Sequence, residues 1–557
     1  MKGYIIGASL ENCVHVAGVV NFLRLAEFEG YKTKFLGPAV SIESLIEVIK
    51  FEKPDVAAVS YRLSPQAALS VLNRLKERIE EEGIKVKWYF GGTKPVADIA
   101  RDIGIFDRIF DGSEDLDDVI MFLREARSPG SIEIYPDNLI DRIWYKYPYP
   151  VLRHHFGMPS YEETLKGIEE IAESRVLDVI SIAPDQNTQE FFFEPHKMKS
   201  DLDGAGGVPL RSKEDFIKLY ESSRKGNYPL LRCYSGTNNL IKFAELLKET
   251  INNAWGAVPL CWYSVLDGRS KRSLKEAIEE NQEAMKWHGE NGIPLEVNEA
   301  HHWSLRDAHD TIGVTTAFLA AYNAKKAGVK HYIAQLMFNV PPSISYKMDL
   351  AKMLAKIELI ESLEDDDFKV FRQVRAGLSS FPYNLDSAKG QLASSTFISM
   401  ALKPHIVHVV GYCEAQYAAG SREVIESVNI VRNVIKNCLS GMPDFTRDEE
   451  IQRRKEELIE EAKYLLEAIK YISNAEDPWS DAETLAKAIK LGLLDAPHLK
   501  GNKEACGKLE TRVINGACYA FDSEKKRVIT ERERVDRILS SIERIKLSYS
   551  KQRRAIK

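Results

Sequence analysis

The sequence predicts an α/β protein: a doubly wound parallel sheet, then a TIM (β/α)8 barrel, then a small α+β extension at the C-terminus. The chain has 557 residues, more than one hydrophobic core usually serves, so two or more domains are expected. Short apolar runs alternate with amphipathic stretches of helical length about five times in residues 1–127. Seven or eight such units recur in residues 166–472, which is typical of a barrel.

The first domain is assigned to residues 1–127. Its predicted strands are KGYIIGAS, KTKFLGP, DVAAVSY, VKWYFGG and RIFDG. The helices predicted to follow them lie at about 17–30, 42–51, 66–82, 94–104 and 116–126. This alternation predicts a parallel sheet with helices on both faces, which binds ligands at the carboxyl ends of its strands. Four residues fall at or just after such ends: His15, Ser60, Gly91 and Gly92.

A connection rich in Pro, Tyr and Gly is predicted over residues 128–165, ahead of the barrel at 166–472. The predicted barrel strands are LDVISIAP, PLLRCYSG, WGAVPLCWYS, IPLEVNEA, HYIAQLMF, FKVFRQVRAG and HIVHVVGY. The loops after these strands are the expected place of an active site. A charge-dense helix is predicted at 447–472, and residues 473–557 are predicted to form a helix-and-hairpin extension.

The composition excludes several classes of function. Hydrophobic residues make up 44% of the chain, charged residues 28%, and the net charge is −6, so no nucleic-acid partner is expected. The seven cysteines form no CxxC pair, which argues against a disulfide framework, a zinc knuckle or an iron–sulfur cluster. No apolar run reaches about 18 residues, so we expect no membrane partner and a cytoplasmic location.

A histidine stands in the first strand-to-helix turn, in CVHVAG at 13–18. One histidine alone is more often a surface or core residue than a ligand, but further motifs follow it. They are VSYRLS at 59–64, YFGGT at 89–93 and FDRIFDGSED at 106–115. This series resembles the B12-binding domain of adenosylcobalamin mutases and methionine synthase, whose pattern is Asp-x-His-x-x-Gly, Ser-x-Leu and Gly-Gly. The resemblance implies a flavodoxin-like domain that binds adenosylcobalamin.

The resemblance also implies a role for each matching residue. His15 would be the lower axial ligand of the cobalt, and Gly18 would open the following helix. Ser60 would line a pocket for the nucleotide tail of the cofactor. Gly91 and Gly92 would let that nucleotide lie against backbone.

Three more residues are assigned to the same cofactor site. Gly112 follows the last strand of the domain. Cys13 stands where the family has the Asp that would hydrogen-bond the histidine, and a thiol is a weaker partner. Arg62 replaces the Leu of Ser-x-Leu, so a cation stands where an apolar wall is usual.

Five segments between residues 225 and 520 carry a second resemblance. They are PLLRCYSGT, IGVTTAFLAAYNAKKAGVKH, SFPYNLDSAKG, VVGYCEAQYAAGSRE and AIKLGLLDAPHLKGNKEACGK. In this order they resemble the large, catalytic subunit of glutamate mutase (methylaspartate mutase). The resemblance implies that Arg232 anchors a substrate carboxylate, and that Glu299 and Glu414 lie around the substrate and the adenosyl ribose. The alternatives are a barrel-top salt bridge for Arg232 and structural carboxylates for the two glutamates.

Other positions depart from the glutamate mutase pattern. Asp185 and Gln186 stand where a second arginine is expected, and Ala254 stands where the family has a glutamate with a base-like role. A further arginine of the pattern has no fixed counterpart in this sequence, and Arg211 or Arg269 could substitute for it. Because the scaffold is kept and the glutamate pocket is not, glutamate is not the expected substrate.

The leading hypothesis is an adenosylcobalamin-dependent radical mutase or isomerase that rearranges a small carboxylic acid, either an amino or a hydroxy acid. The alternatives are a corrinoid-dependent methyltransferase and a non-catalytic cobalamin-binding or carrier protein. The adjacent histidines of HHW at 301–303 are not expected to form a metal site, because adjacent side chains point in divergent directions and no third ligand has suitable spacing. The sequence leaves open a homodimer and a reactivating chaperone.

Overall fold

The structure is a computed structural model that describes residues 3–114, 116–125, 135–234 and 236–541. The chain divides into two compact units, Met1–Ile134 and Tyr135–Lys557. Residues 128–134 of the predicted connection and 542–557 of the predicted extension lie outside the described residues. Within the described ranges, no helix has the length and apolarity needed to cross a membrane.

The first unit is an open, doubly wound sheet, as predicted. Its strands are β1 (Tyr4–Ser9), β2 (Lys32–Phe35), β3 (Val56–Ser60), β4 (Lys87–Gly91) and β5 (Arg108–Phe110). Its helices are α1 (Ala17–Phe28), α2 (Ile42–Glu52), α3 (Pro65–Glu81), α4 (Lys94–Ile103) and α5 (Leu116–Glu125). All strand pairs are parallel, in the order β2-β1-β3-β4-β5.

Alternation along the strands explains why helices cover both faces of this sheet. Ala57 and Val59 pack into the cluster that α2, α3 and α4 complete. Val56 and Ala58, which point to the other face, pack against residues of α1 and α5. Every residue of β3 is buried as a result.

The second unit contains an eight-stranded, nearly closed parallel barrel. Its strands are β6 (Val151–Phe156), β7 (Val179–Ile182), β8 (Leu230–Cys233), β9 (Gly256–Val258), β10 (Leu295–Val297), β11 (His331–Phe338), β12 (Lys369–Ala376) and β13 (Ile406–His408). Their order is β8-β7-β6-β13-β12-β11-β10-β9. At the seam, the amide of Ala254 donates to the carbonyl of Leu231 over 2.9 Å, which brings the ends of the sheet together. The predicted barrel is therefore confirmed.

Two elements inside the predicted connection were not assigned from the sequence: the helix Leu139–Lys146 and the strand Val151–Phe156. Val151–Phe156, placed in the predicted connection, forms the first barrel strand and pairs with β7 and β13. The prolines and tyrosines of the preceding YPYP signal a turn, and the strand that follows carries Arg153, His154 and His155 among its apolar residues. The seven other barrel strands fall inside the predicted segments.

Helices surround the barrel. They are α6 (Leu139–Lys146), α7 (Tyr161–Glu173), α8 (Gln186–Phe191), α9 (Lys213–Ser222), α10 (Leu240–Ile251), α11 (Leu274–Glu290), α12 (Ala300–Ser304), α13 (Asp310–Lys326), α14 (Tyr346–Glu361), α15 (Leu385–Ser399), α16 (Ser421–Leu439) and α17 (Glu449–Tyr471).

The extension packs on the barrel through buried polar contacts. It comprises α18 (Ala482–Leu491), the antiparallel strands β14 (Thr511–Ile514), β15 (Ala517–Asp522) and β16 (Arg527–Val528), and a helix over 531–541. The Asp310 carboxylate accepts from the amide of Cys518 over 3.0 Å. His309 lies 2.9 Å from the Glu531 carboxylate. The boundary predicted at 472 and 473 stays a prediction.

Candidate functional site

The carboxyl ends of the first sheet carry a row of small residues. Ser9 of β1 pairs with Ser60 of β3, and Ser60 pairs with Gly91 of β4. The chain leaves β1 and β3 toward opposite edges of the sheet, and ligands bind in the crevice at such a switch point. The Ser60 hydroxyl is buried and has no hydrogen-bond partner among the described residues, while the Arg62 side chain is exposed. An unpaired hydroxyl in this row fits a polar ligand group.

The loop after β1 presents the His15 imidazole. The Ser9 hydroxyl donates to the carbonyl oxygens of Cys13 and His15, over 2.8 and 3.4 Å, and so fixes the loop backbone. The Cys13 thiol is buried, and its Sγ lies 3.9 Å from Nδ1 of His15. The His15 side chain is exposed, and no hydrogen bond from the described residues reaches its Nε2. This nitrogen is therefore available to a metal.

The structural reason for glycine differs among the four glycines assigned to this site. A Cβ on Gly92 would lie 2.9 Å from a ring atom of Phe90, so packing alone requires glycine there. Gly112 has a φ of +87°, which a tight turn explains. A Cβ on Gly18 or Gly91 would meet nothing within 4 Å. Local structure therefore does not explain the glycines at positions 18 and 91, and a bound ligand could.

The barrel interior changes from apolar to polar along the strands. One apolar layer contains Val151, Val179, Leu230, Ile333, Phe371 and Ile406. Two residues further along each of the corresponding strands stand Arg153, Ser181, Arg232, Gln335, Gln373 and His408. Because strand side chains alternate with a period of two, these residues point into the barrel like the apolar layer. The barrel interior therefore has a packed apolar layer with a polar layer above it.

A cavity of about 630 Å³ opens above this layer, at the strand ends where barrel active sites lie. Its cationic lining residues are Arg153, Arg232, Arg269 and Arg375. Glu190 and Glu296 are the carboxylates that line it. Four histidines also line or adjoin it: His155, His301, His302 and His408.

Arg232 and Glu296 form a buried pair in the cavity. Arg232 Nη2 donates to Glu296 Oε2 over 3.2 Å, and both side chains are 1% exposed. The same Oε2 accepts from Trp255 Nε1 over 2.9 Å and from Gln373 Nε2 over 3.0 Å. Nε and Nη1 of Arg232 are buried and have no partner among the described residues. A guanidinium group stays charged in proteins, so a ligand with an acceptor atom could form hydrogen bonds with these N–H groups.

Arg153 is a second buried cation beside this pair. Its Nη1 donates to the Ser181 hydroxyl over 3.2 Å, and its Nη2 lies 3.1 Å from Nε2 of His155 and 2.6 Å from Nδ1 of His408. Burial and the charge of Arg153 hold the pKa of both histidines well below the ordinary value, so both are neutral acceptors at pH 7. Nε of Arg153 is buried without a partner in the described part of the chain.

The cavity floor consists of Arg153, Arg232 and Glu296, and the charges of these three residues do not balance. Burial alone would raise the pKa of the Glu296 carboxyl, but the positive charges of Arg232 and Arg153 hold that pKa below its ordinary value. Burial and the charge of Arg232 lower the pKa of Arg153 well below its ordinary value. Two guanidinium groups thus face one carboxylate, which leaves one positive charge for an anion to neutralise.

The structure separates the three residues predicted to be catalytic. Arg232 lines the cavity, as described. Glu299 does not: its carboxylate is 1% exposed and accepts from the amides of Leu260 and Cys261 and from the indole of Trp303, over 2.7 to 3.0 Å. These contacts are those of a structural carboxylate, the alternative considered above.

Glu414 lies in the loop after β13 with its side chain 25% exposed, 3.4 Å from Nε2 of the buried His154. It is not among the lining residues of the cavity. Its role at an adenosyl ribose stays a prediction.

Sequence reasoning missed Arg153, Arg375 and Glu296. Arg153 was hidden in the segment assigned to the connection. Arg375 ends a predicted strand in FRQVRAG, just as Arg232 ends PLLR, and that parallel was the available signal. Of the two suggested substitutes, Arg269 lines the cavity, whereas Arg211 is held by Asp185 outside it.

The adjacent histidines behave differently from the expectation of divergent side chains. The rings of His301 and His302 lie 4.5 Å apart, and both line the cavity. Burial holds the pKa of both well below the ordinary value, so they are neutral hydrogen-bonding groups. Across residues 3–114, 116–125, 135–234 and 236–541, no three His, Cys, Asp or Glu side chains form a group that could hold a metal ion.

Comparison with known proteins identifies the first unit. Residues 3–120 match the B12 binding domain family, so this part of the chain is a B12-binding domain. The match supports the predicted cobalamin cofactor. No curated protein matches the chain. The glutamate mutase-like identity of the barrel stays a prediction.

Several solved structures show partial similarity. The methanol:cobalamin methyltransferase complex MtaBC from Methanosarcina barkeri is 20% identical over 22% of this chain and 45% of that one, with a TM-score of 0.19. A cobalamin-binding protein from Desulfitobacterium hafniense DCB-2 is 23% identical over 19% and 51%, with a TM-score of 0.18. The cobalamin-dependent S-adenosylmethionine radical enzyme OxsB is 11% identical over 87% and 70%, with a TM-score of 0.18. This chain thus spans about half the length of the first two, and TM-scores this low do not indicate a common overall fold.

Proposed function

We propose that this protein is an adenosylcobalamin-dependent mutase that rearranges a small carboxylic acid held in the barrel cavity. The observation that carries the proposal is the buried pair Arg153 and Arg232, which has unpaired N–H groups and one countercharge, Glu296. A cavity of this charge fits a substrate carboxylate, because guanidinium groups bind carboxylates through paired hydrogen bonds. The B12-binding domain over residues 3–120 supplies the cofactor half of the proposal.

The residues of the first unit fit the cofactor. His15 would hold the cobalt through Nε2, the nitrogen that the described residues leave without a hydrogen bond. Ser60 would donate its unpaired hydroxyl to the nucleotide tail, and the space beside Gly91 would admit that tail. Adenosylcobalamin, when bound, supplies a carbon-centred radical that removes a hydrogen atom from the substrate and later returns it.

The barrel residues would bind and orient the substrate. The side chains of Arg153 and Arg232 are 1% exposed, so a carboxylate between them lies in a site with little water, where its electrostatic attraction is strong. The neutral His155 and His408 keep Arg153 in place without adding charge. A fixed carboxylate leaves the neighbouring carbon atoms in one position for hydrogen transfer, and exclusion of water protects a radical from side reactions.

The proposal is tested with the full-length chain reconstituted with adenosylcobalamin under anaerobic conditions. A panel of small carboxylic acids is added, EPR spectra are recorded, and products are identified by mass spectrometry and NMR. The expected result is a substrate-dependent radical signal and an isomeric product with at least one acid. Methyl transfer from methylcobalamin instead would overturn the proposal in favour of a methyltransferase. Cofactor binding without either reaction would favour a carrier protein.

A further inference from the structure

The floor of the barrel cavity specifies more than a carboxylate. We propose, resting on the function proposed above, that it binds a hydroxycarboxylate: one carboxylate on Arg153 and Arg232, and the hydroxyl of the same molecule donating to Glu296. A hydroxy acid with a single carboxylate is then the preferred substrate class. An amino acid and a dicarboxylate are the classes that the floor disfavours.

The two carboxylate oxygens of Glu296 differ in their hydrogen bonds. Its Oε2 already accepts from Arg232, Trp255 and Gln373, whereas Oε1 accepts from none of the described residues. Glu296 lines the cavity, so a ligand can reach this carboxylate. A carboxylate oxygen without a donor in the wall of a cavity is a strong acceptor site. A hydrogen-bond donor of the substrate, next to the substrate's own carboxylate, could donate to Oε1 of Glu296.

The arginine N–H groups that lack a partner belong to side chains in the same cavity as Glu296. Nε and Nη1 of Arg232 and Nε of Arg153 are buried and unpaired among the described residues. Both side chains line the same cavity as Glu296, and Nη2 of Arg232 is 3.2 Å from the Glu296 carboxylate. An anionic group and a donor group of one small molecule can therefore be satisfied together. The Arg232 and Glu296 side chains are thus adjacent, which suits adjacent substituents of a short acid.

The charge balance of the cavity floor favours a hydroxyl over an ammonium group. Arg153 and Arg232 carry two positive charges and Glu296 one negative charge, so one bound carboxylate makes the floor neutral. The neutral hydroxyl keeps that balance, whereas an ammonium group leaves one buried positive charge, which is unfavourable in a dry site. A second carboxylate placed against the same three groups would leave one buried negative charge. Arg375, two residues beyond Gln373 on its strand, also lines the cavity; burial lowers its pKa, and the charges of Glu414 and Glu296 oppose that lowering.

The test measures binding and needs no turnover. Isothermal titration calorimetry compares four short acids on the full-length chain: 2-hydroxybutyrate, 2-aminobutyrate, butyrate and succinate. We expect 2-hydroxybutyrate to bind at least about tenfold more tightly than each of the other three, which is the worth of one hydrogen bond to a charged group. Tighter or equal binding of 2-aminobutyrate would overturn the inference.

The variant Glu296→Gln keeps the size of the side chain and an acceptor for Trp255 and Gln373, but removes the charge. We expect it to reduce the advantage of 2-hydroxybutyrate over butyrate to less than about threefold and to strengthen succinate binding. Glu190→Gln is the matched control, because it removes a carboxylate from the same cavity outside the floor. An unchanged preference in Glu296→Gln would contradict the assignment of the hydroxyl.

Two failures are distinguishable in this experiment. If the acids bind with no preference for the hydroxyl, the inference fails and the proposed carboxylate site stands. If none of the four acids binds to folded, cobalamin-loaded protein, the carboxylate site fails as well, and the proposed function fails with it. The comparison of the acids on the unmodified protein keeps the test valid even if Glu296→Gln does not fold.

Discussion

The guanidinium groups of Arg153 and Arg232 share one aromatic ring, that of Trp255. Their central carbon atoms lie 5.5 and 4.9 Å from its ring centroid. The ring offers each cation a favourable face, and its indole N–H donates to Glu296. Two like charges are thus held together in a buried site, which is an arrangement suited to an anion.

Substitution of Arg232 should weaken the binding of acids. Arg232→Met removes a buried set of N–H donors, and we expect the affinity for short carboxylic acids to fall by about 100-fold or more. Arg232→Lys keeps the charge but loses the planar fork, so an intermediate loss of about tenfold is expected. Calorimetry of both variants checks this. Arg211→Lys is the control, since Arg211 is bonded to Asp185 outside the cavity lining and should leave binding unchanged.

Substitution of Glu299 should affect stability before it affects chemistry. Glu299→Ala leaves two buried amides and the indole of Trp303 without an acceptor, at about 1–3 kcal/mol for each group. Urea unfolding should therefore show a loss of several kcal/mol, whereas Glu299→Gln should lose much less. A catalytic Glu299 would give the opposite pattern, with normal stability and no turnover in the Gln variant.

Alanine substitutions at Gly91 and Gly92 should distinguish an effect on packing from an effect on cofactor binding. Gly92→Ala places its Cβ 2.9 Å from Phe90, so the free energy of unfolding should fall by about 1–3 kcal/mol. Gly91→Ala meets open space within the described residues, so its stability should be unchanged. If the nucleotide tail lies against Gly91, the affinity for cobalamin should fall about tenfold or more in that variant. Unchanged cobalamin affinity in Gly91→Ala would place the tail elsewhere.

The contact between Glu531 and Arg534 should make the stability of the barrel unit pH-dependent. Burial would raise the pKa of Glu531, but Arg534 and His309 lower it from 4.5 to about 2. Because the folded pKa is depressed, the stabilisation is present above pH 4.5 and is lost as the pH falls toward 2, by on the order of 3 kcal/mol. Urea unfolding of the native chain and of Glu531→Gln checks this between pH 6 and pH 3. Their difference should shrink as the pH falls; a constant difference would rule out this linkage.

The sequence predicts most of the fold because strand and helix periods are strong local signals. All five strands of the first sheet and seven of the barrel strands lie in predicted segments. The strand Val151–Phe156 was missed because YPYP before it signals a turn and because polar residues interrupt its apolar pattern. Such interruptions mark a barrel that is polar inside, so the missed strand also carries a missed site residue, Arg153.

The candidate site was predictable only in part. Arg232 and His15 stand in motifs of several residues and were found from them. Glu296 and Glu299 lie three residues apart around a strand of three residues, which is too short for alternation to show which one points inward. Their contacts depend on Trp255 and Trp303, which other elements bring to them. Tertiary packing therefore separates the two glutamates.

The proposed function requires His15 to hold the cobalt of a cobalamin. The most direct measurement is the EPR spectrum of the full-length protein reconstituted with cobalamin and reduced to the cob(II)alamin form, with natural and with 15N-labelled histidine. The account predicts a nitrogen triplet that becomes a doublet on labelling, disappears in His15→Ala and persists in the control His196→Ala. A triplet that is unchanged by labelling, or cobalamin that binds with no histidine nitrogen splitting, would contradict the account.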